Sequence, residues 1–350
     1  MCLHRLSRKP QSTFRADALA LGEWRENRHD PGTNMSEIRR MLRLPVLLAA
    51  LGLASVAYAA QPVPEPPAAA AVPSDPAPFV LKDTEVRTIR ARTLQRDYEI
   101  YVSLPASYHA SPRRRFPVLF ITDADYAFPL VRSIARRVGN RGQGLEEFIL
   151  VGISYAVGDT PQFSRRRDYT PTPNGEKTKD ESGRAPVFGE AEPYRRFLAD
   201  ELMPFVASTY RTDTHRSIFA GHSYGGLLGL HILLTEPKMF SHYIIGSPSL
   251  WFDQRVMFAR ERAYAEANKE LKADVLMAIA SFETIGKASP RYSSKLDMIA
   301  ELQEFEKALR SRNYPGLRLT TEIIQDEDHL TVFPAIITRG LMWALPAKRS

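Results

Sequence analysis

Near the middle of the chain, Gly221-His222-Ser223-Tyr224-Gly225-Gly226 follows a short apolar run at 217–220 and leads into an apolar stretch of helical length. G-x-S-x-G between a strand and a helix is the pattern of a nucleophile elbow, a turn tight enough to hold the serine at strained backbone angles. Gly221 and Gly225 then stand where any side chain would collide across the bend, and the Ser223 hydroxyl sits at a helix N-terminus, where unpaired N–H groups favour developing negative charge. A glycine-rich turn can also serve packing alone; the strand pattern before it and the helix pattern after it argue for the chemical role.

A serine hydroxyl needs a neighbouring base to act as a nucleophile at neutral pH. Of the eight histidines, His4 and His29 precede the folded part, His109 and His215 fall in turns, His231 lies inside the helix after the elbow, and His242 opens the next strand at its wrong end. His222 supports the elbow rather than acting as base, because it points away from its neighbour's hydroxyl. His329 is the candidate: it follows the last strand pattern and the acidic turn Gln325-Asp326-Glu327-Asp328, and it completes the chain order serine, acid, histidine. That order puts the orienting carboxylate after the apolar run at 275–280, in Ser281-Phe282-Glu283-Thr284, and selects Glu283, with Asp253 and Asp297 as alternatives; Asp328, adjacent to His329, is too close in sequence to reach its Nδ1. Charge developing on the substrate carbonyl oxygen requires two donors. The N–H of Tyr224 is one, and the loop Asp123-Ala124-Asp125 supplies the other, taken as Ala124. The aspartates of that loop have an equally plain use in turn formation and helix capping.

These residues need a scaffold. Strands with period-two alternation are expected at 86–91 and 98–104. Continuous apolar runs, typical of strands buried on both faces, lie at 117–122, 148–153, 217–220, 243–245 and 275–280, with a last strand at 317–324. Helices are expected at 128–138, 192–209, 224–235, 254–268, 293–312 and 331–344. Two edge strands followed by alternating strands and helices describe a mainly parallel central sheet with helices on both faces, an α/β-hydrolase fold once the elbow is added. Residues 160–189, rich in proline, glycine and charge, are too long for a simple connection and are expected to form a loop over the mouth of the site.

The first quarter of the chain reads differently. Arg39, Arg40 and Arg43 precede or open an apolar run that ends in Ala57-Tyr58-Ala59, so residues 35–59 read as a secretory signal peptide, with translation expected to start at Met35 or Met41 and residues 1–34 as a non-native leader. The run is short for a membrane span and no stop-transfer cluster follows it, so no stable membrane anchor is expected after cleavage and the mature protein is expected to be periplasmic or secreted. Residues 60–78, rich in Pro and Ala, read as a linker, and 79–350 as one domain. Residues 1–59 carry 9 Lys+Arg and 5 Asp+Glu, so most of the formal charge of +7 leaves with them and nucleic-acid binding has no support. Cys2 is the only cysteine, which excludes disulfides and thiolate metal sites in the mature chain. No nucleotide, metal or flavin motif occurs, and no cofactor or metal is expected.

The elbow GHSYGG, the later SPSLWFD, the blocks RDYEIYVSLPASY and FPVLFITDADYAF, and RRRDYTPT together resemble the esterase D family, and more closely its siderophore-esterase-like branch, periplasmic hydrolases of ferric catecholate trilactones. The resemblance covers about residues 84–345. It implies that Ser223 and His329 carry the chemistry, in some members as a Ser-His dyad. This chain departs from the pattern at Ala124, where the family usually has glycine, and at Phe252, where it often has a second tryptophan. Arg165, Arg166 and Arg167 offer guanidinium groups to an anionic substrate, although one could equally pair within its loop while the others face water. The expected activity is hydrolysis of a small-molecule ester through an acyl-enzyme on Ser223. An acyltransferase or peptidase on the same fold, or a catalytically inactive binding protein, are the alternatives.

Overall fold

The computed structural model describes residues 78–140, 143–287, 289, 292 and 294–347. The expectations for the leader, the signal peptide and linker residues 60–77 lie outside the described residues.

Eight strands form one sheet: β1 (Thr84–Ala91), β2 (Arg96–Ser103), β3 (Phe116–Ile121), β4 (Ile149–Ala156), β5 (Thr212–His222), β6 (His242–Gly246), β7 (Ala273–Ala280) and β8 (Leu317–Ile324). Their order is β1-β2-β4-β3-β5-β6-β7-β8. β1 pairs antiparallel with β2 and β2 antiparallel with β4, while every pair from β4 to β8 is parallel. The helices are α1 (Ala124–Gly139), α2 (Pro161–Tyr169), α3 (Ala191–Phe197), α4 (Met203–Thr209), α5 (Tyr224–Leu233), α6 (Phe252–Ala267), α7 (Met298–Ser311) and α8 (Phe333–Ala344).

Successive side chains of a strand point to opposite faces, and here the two faces bury separate cores. Val118, Phe120, Val151, Phe219, Tyr243 and Met277 face a core completed by α3 through α7. Leu119, Ile121, Leu150, Ile218, Ile244 and Leu276 face a second core covered by α1 and α8. The central strands are apolar at nearly every position because both faces are dry, so their sequences read as unbroken runs.

Several boundaries differ from the sequence expectation for identifiable reasons. β5 begins at Thr212, ahead of the expected 217; residues 214–216 are at least partly exposed and polar, so the apolar run did not mark this part of the strand. α7 starts at Met298, where the Asp297 side chain accepts from Ala300 N–H as an N-cap, instead of at 293. The helix expected over 192–209 is α3 and α4 joined by a π turn, Leu198–Leu202. The segment expected to be a loop, 160–189, opens with α2: Pro161 occupies its first turn and the Thr160 side chain accepts from Phe163 N–H, both helix-start signals. The run of charge that follows hid them from a reading based on hydrophobic period.

Candidate active site

In the parallel half of the sheet His222 is level with Gly246, Gly246 with Ala278, and Ala280 with Ile324, so β5 to β8 end along one edge. Ligand sites of open α/β sheets gather at this carboxyl edge. Ser223, Ser247, Glu283 and His329 all lie in the connections that leave it.

Ser223 follows β5 directly and has φ 61° and ψ −118°, a conformation that costs a non-glycine residue on the order of 1–3 kcal/mol. The bend closes only because its glycines lack side chains. A Cβ at Gly221 would lie 2.4 Å from the Gly225 carbonyl oxygen, and a Cβ at Gly225 would lie 2.4 Å from Thr122 Oγ1. Ser223 N–H donates to Gly246 O at 2.9 Å, tying the turn to the end of β6.

His329 Nε2 lies 3.1 Å from Ser223 Oγ, and His329 Nδ1 lies 2.7 Å from Glu283 Oε2. A carboxylate can only accept, so Nδ1 carries the ring proton and Nε2 presents its lone pair to the serine hydroxyl. Glu283 is fully buried, with 0% exposure. Its other oxygen, Oε1, accepts from Ser247 Oγ at 2.5 Å and from Ala280 N–H at 3.1 Å. Three donors therefore hold this carboxylate in one orientation. The alternatives serve elsewhere: Asp253 accepts from Thr172 and Asn174, Asp297 caps α7, and Asp328 accepts from Leu330 N–H and Thr331 N–H, shaping the turn that carries His329.

His222 has a second function that its place in the motif did not reveal. Its Nε2 lies 2.9 Å from the His329 carbonyl oxygen, and the two rings pack with centroids 4.7 Å apart. A carbonyl only accepts, so His222 donates from Nε2. Burial, and then the nearby His329, push its pKa well below the usual histidine value, which favours the neutral ring. On its other side His329 faces Tyr292, whose ring is nearly parallel at 6.1 Å.

Tyr224 and Ala124 are the first residues of α5 and α1, so neither N–H has an acceptor within its own helix. Ala124 fits where the related pattern has glycine, its methyl group facing the chain at Gly152. Its predecessor Asp123 has φ 58° and is buried; Tyr155 Oη donates to its Oδ1 at 2.9 Å and Arg165 Nε at 2.8 Å. Burial raises the Asp123 pKa against the opposing effect of Arg165.

The three consecutive arginines separate. Arg165 lines the cleft over Ser223. Arg166 and Arg167, expected as substrate-binding groups, are buried and turned into the segment: Arg166 pairs with Glu176 and donates to Thr178 O, and Arg167 pairs with Asp159 and Asp168. Helical geometry points neighbours in different directions, so a run of like residues does not share a face. Neither of the two faces water, so the plainer alternative is also corrected.

The cleft has a volume of about 710 Å³, and Tyr126, Tyr155, Arg165, Leu330 and Phe333 wall it around Ser223 and His329. Ser247, Tyr155 and Tyr292 were not singled out in the sequence. Ser247 stands in SPSLWFD directly after β6, and its place beside the β5 and β7 ends was the available signal.

Sheet order, elbow and helical layers define an α/β-hydrolase. The chain matches the esterase family model over residues 91–314 and belongs to that family. It is similar to the ferri-bacillibactin esterase of Bacillus subtilis, 29% identical over 271 residues, 76% of this chain and 91% of that one. The siderophore triacetylfusarinine C esterase of Aspergillus fumigatus is 27% identical over 264 residues, 70% of this chain and 87% of that one. Among solved structures, the siderophore hydrolase EstB of Aspergillus nidulans superposes with a TM-score of 0.64 at 24% identity, covering 79% of this chain and 99% of that one, which supports the shared fold. The chain falls on the siderophore-esterase-like branch and is a carboxylic ester hydrolase.

Proposed function

We propose that the protein cleaves esters through an acyl-enzyme on Ser223, with His329 as general base and then general acid, Glu283 orienting the imidazole, and the N–H groups of Tyr224 and Ala124 receiving the oxyanion. The observation that carries this reading is the unbroken hydrogen-bonded line from Ser223 Oγ through His329 to the buried Glu283. His329 takes the hydroxyl proton as Oγ attacks the carbonyl carbon, then returns it to the leaving alcohol; water repeats the sequence to release the acid and restore the serine. A fluorophosphonate probe tests the nucleophile. Labelling of the wild type that disappears in Ser223→Ala is expected; no labelling, or labelling retained in the variant, overturns the reading.

For substrate we propose siderophore-type lactone esters. The support is a roomy cleft that joins the guanidinium of Arg165, its Nε engaged by Asp123, to the aromatic rings of Tyr126, Tyr155 and Phe333, a combination suited to aromatic ligands with acidic groups, together with the named activities of the relatives. Turnover of a ferric catecholate trilactone should exceed that of short p-nitrophenyl esters and S-formylglutathione by at least about ten-fold in kcat/KM, a difference of about 1.4 kcal/mol in transition-state binding. Equal or lower turnover removes the proposal. The signal pattern at 35–59 supports a periplasmic or secreted protein; N-terminal sequencing that finds the mature chain beginning after Ala59 is the matching result.

A further inference from the structure

Asp123, between β3 and α1, occupies the N-cap position of α1, yet its side chain makes no cap hydrogen bond. Capping, the ordinary use of an aspartate at such a place, is therefore not its use here. The setting is also unfavourable for it. Its backbone is left-handed, with φ 58° and ψ 43°, and the residue is only 1% exposed. Pairing with Arg165 does not by itself explain the burial, because removing a carboxylate from water offsets much of that attraction. What the arrangement does achieve is to fix one peptide plane. Asp123 N–H donates to Tyr169 Oη at 3.4 Å. Its Oδ1 accepts from Tyr155 Oη at 2.9 Å and from Arg165 Nε at 2.8 Å. Its carbonyl oxygen accepts from Ala127 N–H at 3.0 Å. Tyr155 belongs to β4, and Arg165 and Tyr169 to α2, so two other elements hold the residue in place. On its remaining side it faces the elbow, where a Cβ at Gly225 would lie 3.4 Å from Asp123 Oδ2.

With its amide, side chain and carbonyl all held, Asp123 cannot turn about the Cα–C bond that aims the next N–H. That N–H belongs to Ala124, the first residue of α1, and has no acceptor within the helix. We infer that Asp123 is a positioning residue for the reaction: clasped by Tyr155, Arg165 and Tyr169, it aims the Ala124 N–H at the oxyanion. The inference rests on the role proposed above for that N–H. An oxyanion donor stabilises the transition state only when it is already directed at the place where charge develops. Loosening the clasp therefore slows acylation and leaves substrate binding nearly unchanged, whereas a pair that merely braced the cleft would act on binding and stability.

The experiment uses the full chain in stopped-flow burst kinetics with p-nitrophenyl acetate, which separate the acylation rate constant from the substrate dissociation constant. A trifluoromethyl ketone, whose serine adduct carries an oxyanion, reports on the same donor as an inhibitor. Asp123→Ala is expected to slow acylation at least about thirty-fold and to weaken the ketone at least about ten-fold, with the substrate dissociation constant changed less than about three-fold. Asp123→Asn keeps an oxygen acceptor for Tyr155 and Arg165 and tolerates the left-handed backbone, so it should recover at least about ten-fold of the lost rate. Should Asp123→Ala fail to fold, Tyr155→Phe, which keeps the ring and removes only the hydroxyl that donates to Asp123, should slow acylation at least about five-fold with binding again preserved. Acylation within about three-fold of wild type, a loss that appears in substrate binding rather than in acylation, or no recovery in Asp123→Asn overturns the inference. A wild type that shows no burst and takes no fluorophosphonate label overturns the acyl-enzyme reading itself, and this inference with it.

Discussion

In the proposed mechanism the strength of the base depends on Glu283. A buried carboxylate facing His329 Nδ1–H holds the imidazole in the tautomer whose Nε2 can accept the serine proton, and it steadies the imidazolium formed when that proton arrives. Ser247 and the Ala280 N–H prevent the carboxylate from turning away. Replacing it with an amide keeps the shape but lets the side chain donate toward His329 and select the wrong tautomer. Glu283→Gln is therefore expected to lower kcat by about 10³- to 10⁴-fold with KM little changed, measured on a p-nitrophenyl ester. A loss under ten-fold would mean that Ser223 and His329 suffice as a dyad, as the family resemblance allows.

The elbow is a property of the β5–α5 junction rather than of one side chain. β5 delivers the chain to Ser223, α5 leaves from Tyr224, and the two can meet at this angle only while nothing projects from Gly221 or Gly225. At Gly221 the obstacle would be the backbone carbonyl of Gly225, which cannot rotate aside as a side chain can. Gly221→Ala is expected to destabilise the fold by about 1–3 kcal/mol, the usual range for overpacking a tight core, and to abolish turnover by displacing Ser223 Oγ from His329 Nε2. Denaturant unfolding together with ester turnover checks this, and a variant with wild-type stability and rate would show that the turn relaxes without cost.

At the scale of the whole domain, three histidines among the described residues have lowered pKa values. Burial is the leading cause of the lowered pKa at His222, His231 and His242; the neighbouring His329 adds to it at the first, while Glu192 opposes it at the second and Asp274 at the third. The sign follows from proton uptake. Below a pH of about 6.5 the unfolded chain binds protons at these positions more readily than the folded chain does, so acidification favours unfolding. Stability contributed by the neutral rings is complete above the unfolded value and declines as pH falls, by at most about 1.4 kcal/mol per pH unit for each histidine, until the folded-state pKa is reached. Thermal unfolding should show a falling Tm from pH 7 to pH 5, and His242→Gln, distant from the catalytic edge, should reduce the slope. A Tm that is flat or rises toward pH 5 would contradict this account.

Much of this protein was legible along the chain because its central strands are dry on both faces. Such strands must be apolar at every position, and the alternation of those runs with helical patterns identified a mainly parallel sheet before any contact was known. The elbow was legible for a related reason: its glycines answer a local steric demand that leaves its mark on adjacent residues. Chain order pointed to His329 and, with Asp253 and Asp297 left open, to Glu283; the structure brings His329 and Glu283 together because parallel strands end along one edge and the connections leaving that edge converge. What stayed hidden depends on direction in space. Arg165, Arg166 and Arg167 are the same residue type in succession, yet helical rotation sends one to the cleft, where it pairs with Asp123, and turns the other two into the segment, toward Glu176 and Asp168. The hydrogen bond from His222 to the His329 carbonyl and the clasp of Ser247 on Glu283 join groups far apart in sequence. No local pattern records those distances; they arise only when the strands take their places in the sheet and the helices close over both of its faces.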